Sequence, residues 1–233
     1  MNEIRKVFLV RPAYPRAPVR ERGIRLALAA AALAALAGCT SSPSRFYTLT
    51  PASSAAPAEP AAQPDSLIEL AAVNVPPEVA RPQFVVQTGG DRMDVLEQTR
   101  WASLPGDEIR HALSSDLTQQ LHTIDVYGIP HVDTLPVYRI SVNVQRFESA
   151  PGSHARIDAV WSVRELHTQL VMTCHSTANE PVSDGYDALV DGHRRAVASI
   201  ATDIANGVRG MMAAAPAHER SKDKPLAVAC PQS

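Results

Sequence analysis

Few patterns in this sequence carry chemistry. It has no basic cluster, so nothing offers an electrostatic track for nucleic acid. The eight His, at 111, 122, 131, 154, 167, 175, 193 and 218, never fall at i, i+3 or i, i+4 with another His or a Cys. That spacing argues against a metal site. Cys174 and His175 are adjacent, and neighbours on a strand point to opposite faces. There is no Gly-x-Ser-x-Gly elbow for a nucleophile. Gly89-Gly90 is not followed by Lys and Ser or Thr, so it reads as a hairpin turn and not a phosphate loop. With no constellation of titratable groups in view, the expectation is a non-enzymatic chain with no cofactor, no metal and no catalytic residue.

Cysteine is scarce too, at three residues, and the first is the most informative. An apolar run from Ile24 ends in Leu36-Ala37-Gly38-Cys39, with Arg20, Arg22 and Arg25 at its basic start. A basic start, a short apolar stretch and a small-residue exit mark a secretory signal, too short for a spanning helix. A Cys directly after Leu-Ala-Gly resembles a bacterial lipobox. Residues 1–38 are therefore expected to be a lipoprotein signal peptide, with Cys39 as the lipidation site and several acyl chains as the anchor. Seven basic and two acidic residues precede Cys39, which leaves residues 39–233 at net −7, with 15 Lys+Arg against 22 Asp+Glu. Thr40 follows the Cys. Lipoproteins kept in the inner membrane usually resemble a Cys-Asp start, so outer-membrane sorting is expected.

Cys174 and Cys230 then remain, in an oxidising compartment where thiols pair or stay buried. A mobile tail can bring Cys230 to the sheet as a disulfide. The competing reading, a buried Cys174 and an unpaired tail thiol, is slightly favoured because the tail reads as disordered.

Between two Pro/Ala-rich stretches, residues 51–65 and the tail 213–233, lies one folded domain, expected over 67–212 with 44–50 contributing a strand. Residues 39–66 form its anchored start and linker. Leu67–Val75 and Gln83–Gln87 read as strands, and Gly89-Gly90-Asp91 turns the chain towards Met93–Glu97. Ile109, Leu113, Leu117 and Leu121 recur every four residues, which predicts a helix started by Asp107 or Gly106. Val126–Tyr127 suits a short strand. In Val137–Phe147, Tyr138, Ile140, Val142 and Val144, then Arg146, share one face, while Arg139, Ser141, Asn143 and Gln145 share the other. Ala155–Arg164 and 168–175 complete a meander. A helix from Tyr186 to Met212 carries the stripe Leu189, Val190, Val197, Ile200, Ala201, Ile204, Val208 and Met211. The expected fold class is α+β, an α/β sandwich with two main helices on one face of a mostly antiparallel sheet.

Several short motifs follow one another in a familiar order. Ser44-Arg45-Phe46-Tyr47-Thr48-Leu49 sits just after Cys39. Arg100-Trp101-Ala102 and Leu104-Pro105 precede the first helix, Arg146-Phe147-Glu148 ends a strand, and Asp158-Ala159-Val160-Trp161 lies in the next. Over roughly residues 44–210 the chain resembles the ABC-type transport auxiliary lipoprotein component family, the PqiC-like lipoproteins. The insert at 51–65 and the Cys-bearing tail depart from it. The resemblance implies a partner of an MCE-domain protein, moving lipid, phospholipid above all, between the two membranes. An assembly lipoprotein of another envelope complex is the alternative. Because MCE proteins form rings, a homo-oligomeric, head-to-tail ring is expected.

Trp101 carries two readings. One is a staple packed under the helix N-terminus. The other is a partner contact at a rim, with Arg100 pairing across a subunit boundary. Trp161 is read as core, and Arg146 and Glu148 as an internal or cross-strand ion pair.

Overall fold

The computed structural model describes residues 43–50, 64–131, 134–220 and 229–231. The expected signal peptide, Cys39, most of the expected linker and the tail residues 221–228 lie outside the described residues. The elements in chain order are β1 (Arg45–Tyr47), β2 (Leu67–Leu70), β3 (Gln83–Gly89), β4 (Arg92–Trp101), α1 (Pro105–Leu121), β5 (Val137–Ala150), β6 (His154–Glu165), β7 (Val171–Pro181) and α2 (Tyr186–Arg220). This is the α+β class expected. The strands are divided between two mixed sheets, ordered β1-β4-β3 and β2-β5-β6-β7. Each sheet has one parallel pair, β1 with β4 and β2 with β5, and the other pairs are antiparallel. The expected strand at Val126 is an isolated bridge beside β2, pairing Asp125 with Ile68.

Both helices bury the stripes that their periodicity marks. All eight stripe residues of α2, from Leu189 to Met211, are buried, as are Ile109, Leu113 and Leu117 of α1. At Gly207, α2 comes so close to β6 and β7 that an added Cβ would sit 2.7 Å from Met172 Cε and 2.8 Å from the Trp161 ring. Beside this contact Trp161 Nε1 donates to Ser176 Oγ at 2.9 Å, and Ser176 donates to Asp203 Oδ2 at 2.6 Å. A buried indole N–H needs such a partner, and this one ties β6, β7 and α2 together. The helix continues past the expected Met212 to Arg220.

Two expected details are corrected. Pro105 opens α1 behind Leu104, ahead of Gly106 and Asp107, and no side chain caps the helix at Leu104. Glu108 acts there instead. Its carboxylate accepts from Ser103 N (2.9 Å), Ser103 Oγ (2.7 Å), Thr48 Oγ1 (2.7 Å) and Leu49 N (2.8 Å), stitching the stretch after β1 to the start of α1. Burial alone would raise the Glu108 pKa, but hydrogen bonds from Ser103, Leu49 and Thr48 hold it below the ordinary value. The alternation of β5 also breaks near Gln145. Val144 pairs with Ala159 but Arg146 pairs with Asp158, a one-residue bulge. Arg146 is therefore exposed, where strict alternation puts it on the face of Val144, and Phe147 is buried. Outside, Arg146 pairs with Glu148 at 3.0 Å and with Asp158 at 3.2 Å.

The bulge completes a column of rings that joins the two sheets. Tyr47 of β1 meets Phe84 of β3 at 5.3 Å, and Phe84 stacks on Trp101 of β4 at 4.2 Å. Trp101 meets Phe147 of β5 edge-on at 6.1 Å, and Phe147 stacks on His193 of α2 at 4.2 Å. His193 is fully buried, shares a 2.8 Å hydrogen bond with Ser149 Oγ, and has its pKa lowered to about 3 by desolvation and by His154. In the unfolded chain its pKa returns to about 6.5. Stability is then full above pH 6.5 and falls as protons bind the unfolded state preferentially between pH 6.5 and about 3. Denaturant unfolding of the wild type should show a loss of about 2 kcal/mol between pH 7 and 5 from this group. His193→Gln should be less stable at pH 7 yet flatter over that range, and an equal slope in both proteins contradicts the assignment.

Cys174 of β7 is bonded to Cys230, with Cα atoms 5.7 Å apart, so the paired alternative holds in this structure. The bridge brings residues 229–231 to the edge strand of the larger sheet and closes a 56-residue separation. In the chain-entropy view that closure stabilises by roughly 4 kcal/mol. Protein unfolded without reductant should show neither thiol reactive at positions 174 and 230. Two reactive thiols contradict the bridge.

Candidate functional site

Trp101 is 3% exposed and sits mid-column. It is buried, as a packing role requires, but the rings it meets are Phe84, Phe147 and His193, none of them at the start of α1. A rim contact at Trp101 is ruled out by its burial, since a partner could reach it only by opening the interface between the sheets. Arg100 faces the other way, beside Phe46 in the β1–β4 register. Its Nε is enclosed without a hydrogen-bond partner, and among the described residues it forms no ion pair.

The pair Ser149 and His193 has the residue types of a nucleophile and its base. Both are buried, the imidazole is neutral across the physiological range, and Phe147 lies flat on the ring. A substrate has no way to that hydroxyl without unpacking the column. On the outer face of the larger sheet there is a shallow depression of about 400 Å3 edged by Asn74, Ser141, Asn143, Ser162 and Thr173. Its polar groups are neutral, so it can exchange hydrogen bonds but cannot supply an acid or a base. Among the described residues no three His, Cys, Asp or Glu side chains gather as metal ligands, and no helix is long and apolar enough to cross a membrane.

A group of exposed apolar side chains stands on the loop that follows α1. Ile124, Tyr127 and Ile129 are 50%, 45% and 58% exposed within six residues. Asp125 holds the loop in shape from within. Its Oδ1 accepts from Leu70 N and Tyr127 N at 3.1 Å each, and its Oδ2 accepts from Ser114 Oγ at 2.7 Å and Arg110 Nη2 at 3.2 Å. The backbone adds Ile68 N to Ile124 O at 3.1 Å, Val126 N to Ile68 O at 2.8 Å and Ile129 N to Val126 O at 2.9 Å. Gly128 takes φ +72°, which admits the turn after Tyr127. The Arg110 guanidinium lies over the Tyr127 ring, 5.2 Å from its centre. Val126 anchors the loop from below by packing with Leu67 and Val137. Three large apolar side chains are thus held out in a fixed geometry, so docking them costs little ordering entropy.

The sequence reading missed this loop, because exposed Ile and Tyr look like core when only their identity is known. The available signal was the cluster Ile124-Asp125-Val126-Tyr127-Gly128-Ile129, apolar residues around a turn-forming Asp and Gly where a loop should be polar.

Residues 47–205 match the family described as ABC-type transport auxiliary lipoprotein component. The chain belongs to that family. The match spans the ring column and the apolar loop, and it stops short of Phe46 and Cys230. No curated protein matches the chain. Among the solved structures that resemble it are two crystal structures. One is of an uncharacterised protein, with TM-score 0.57, 19% identity, and 72% of this chain and 99% of that one covered. The other is of a Xanthomonas campestris protein, with TM-score 0.54, 17% identity, and coverage of 76% and 99%. At those identities the likeness speaks for the fold. The family makes this chain a lipoprotein that serves a transport system.

Removing the Asp125 carboxylate strands a guanidinium and two backbone N–H groups. Asp125→Ala should lower stability by about 1–3 kcal/mol and speed hydrogen exchange at Val126 and Tyr127 while leaving β6 and β7 protected. Unchanged exchange at those two amides contradicts the bracing role.

Proposed function

We propose that this chain is a non-catalytic subunit of an MCE-type system that carries phospholipid between the inner and outer membranes. Family membership across 47–205 carries the reading. The motifs shared with the PqiC-like lipoproteins extend it to an MCE-domain partner. A lipid on Cys39 tethers the domain to the periplasmic side of the outer membrane, with Thr40 giving no inner-membrane retention signal. The braced loop Ile124–Ile129 is the surface offered to the MCE-domain protein, since rigid apolar groups at the centre of a contact supply most of its energy. A head-to-tail ring of copies suits a ring-shaped partner.

The test is affinity capture of the tagged full chain from the envelope of its own cells. An MCE-domain protein should copurify, and Ile129→Asp should lose it without a change in melting temperature. Cys39→Ala should leave a soluble or uncleaved precursor. Capture of an unrelated envelope complex, or an Ile129→Asp protein that keeps its MCE partner, contradicts the proposal in its general and its specific part respectively.

A further inference from the structure

The three-stranded sheet has a second exposed apolar group, and its place relative to the anchor identifies what covers it. The side that faces the core carries Tyr47, Phe84 and Trp101. Their neighbours Phe46 and Arg100 point the other way by strand alternation, while Val85, level with the exposed Val95, is itself buried. Pairing extends that outward side: Phe46 is level with Arg100, Val85 with Val95, and Gln87 with Met93. Phe46 is 64% exposed, and Val95 and Met93 are both exposed. Val95 and Met93 are two residues apart on β4, about 7 Å. A register shift between Gln83 and Phe84 separates their rows from that of Phe46. The apolar groups are thus Phe46 at β1 and this pair further along β4.

Cys39 and Ser44 are five positions apart in the chain. Even fully extended, such a stretch spans no more than about 18 Å. Ser44 is fixed to the sheet, its Oγ donating to Gln98 Oε1 at 2.7 Å. A lipid on Cys39 therefore keeps β1 close to the headgroup layer, which is itself roughly 5–8 Å deep on each side of the hydrocarbon core. Arg100, level with Phe46, brings a guanidinium to the depth of the lipid phosphates. The apolar loop at Ile124–Ile129 lies elsewhere. It packs at Val137, whereas the ring column beside β1 meets β5 at Phe147, ten residues along the strand. That separation is about 30 Å.

We propose that the outward face of the three-stranded sheet, led by Phe46 with Val95 and Met93, lies in the surface of the leaflet that holds the anchor. The domain is then docked on the bilayer as well as tied to it. This rests on the lipidation of Cys39 put forward above. Phe46 inserts among the acyl chains as aromatic residues do at membrane interfaces, and Arg100 takes the phosphates. The loop at the far end of β5 is left for the protein partner.

Phe46→Trp in the full chain supplies the probe, since the native Trp101 and Trp161 are both buried. The chain is reconstituted into phosphatidylethanolamine and phosphatidylglycerol vesicles, with and without acyl-chain-brominated phospholipid, after mass spectrometry of residue Cys39. The expected result is a lipidated chain whose introduced indole is strongly quenched by the brominated lipid, while Tyr127→Trp in the same vesicles is not. A lipidated chain with no quenching at position 46 overturns the face contact and leaves the anchor standing. Protection of position 46 that persists without lipid, in Cys39→Ala protein that cross-links to a second copy, assigns the face to self-association and also overturns it. A chain without lipid on Cys39 removes the tether, and this proposal falls with it.

Discussion

The packing of Trp101 between Phe84 and Phe147 is what makes one domain of two sheets. Neither sheet is large, and the smaller has only three strands, one of them three residues long. A sheet that small has too little apolar area to stand alone. The ring column lays its inner face on the end of β5 and on the first turns of α2, through Phe84, Trp101, Phe147 and His193. Polar bonds on the same side complete the closure. Glu108 clamps the residues after β1, Tyr47 Oη donates to Asp187 at 2.8 Å, and Arg194 donates to the Thr48 carbonyl at 2.7 Å. β1 is in this way fastened to the core through Tyr47 and the residues that follow it.

That arrangement leaves exposed apolar groups towards both ends of β5. At Phe147 the small sheet is held with Phe46, Val95 and Met93 exposed. At Val137 a braced loop holds Ile124, Tyr127 and Ile129 in solvent. The interior between them is filled, with a neutral Ser–His pair where a catalytic one would need access, and the one depression described above holds only neutral hydroxyl and amide groups. On the reading proposed above, the chain works by position, through what its two ends touch.

Much of the fold was legible in the residues. The stripes of α1 and α2, the alternation of β5 to Val144, the Gly89-Gly90 hairpin and the buried Trp161 all follow from local periodicity, and local periodicity is what burial selects. What was not legible is non-local. β1 pairs with β4 across 54 positions, so the split into two sheets leaves no local trace. The bulge near Gln145 adds one residue to an alternation that still looks regular, and that residue turns Phe147 inward and Arg146 out. Trp101 as staple or as contact was undecidable from its identity, because core and interface use the same aromatics. For the same reason the Ile124–Ile129 loop was passed over: exposure is set by what packs above a residue.

Photo-crosslinking in intact cells tests this division of surfaces most directly. A photoreactive phenylalanine analogue is placed at Tyr127 or at Arg100, and the covalent products are identified by mass spectrometry. The expected outcome is an adduct from position 127 to an MCE-domain protein, and none to that protein from position 100. An MCE adduct from position 100 with position 127 silent would contradict it.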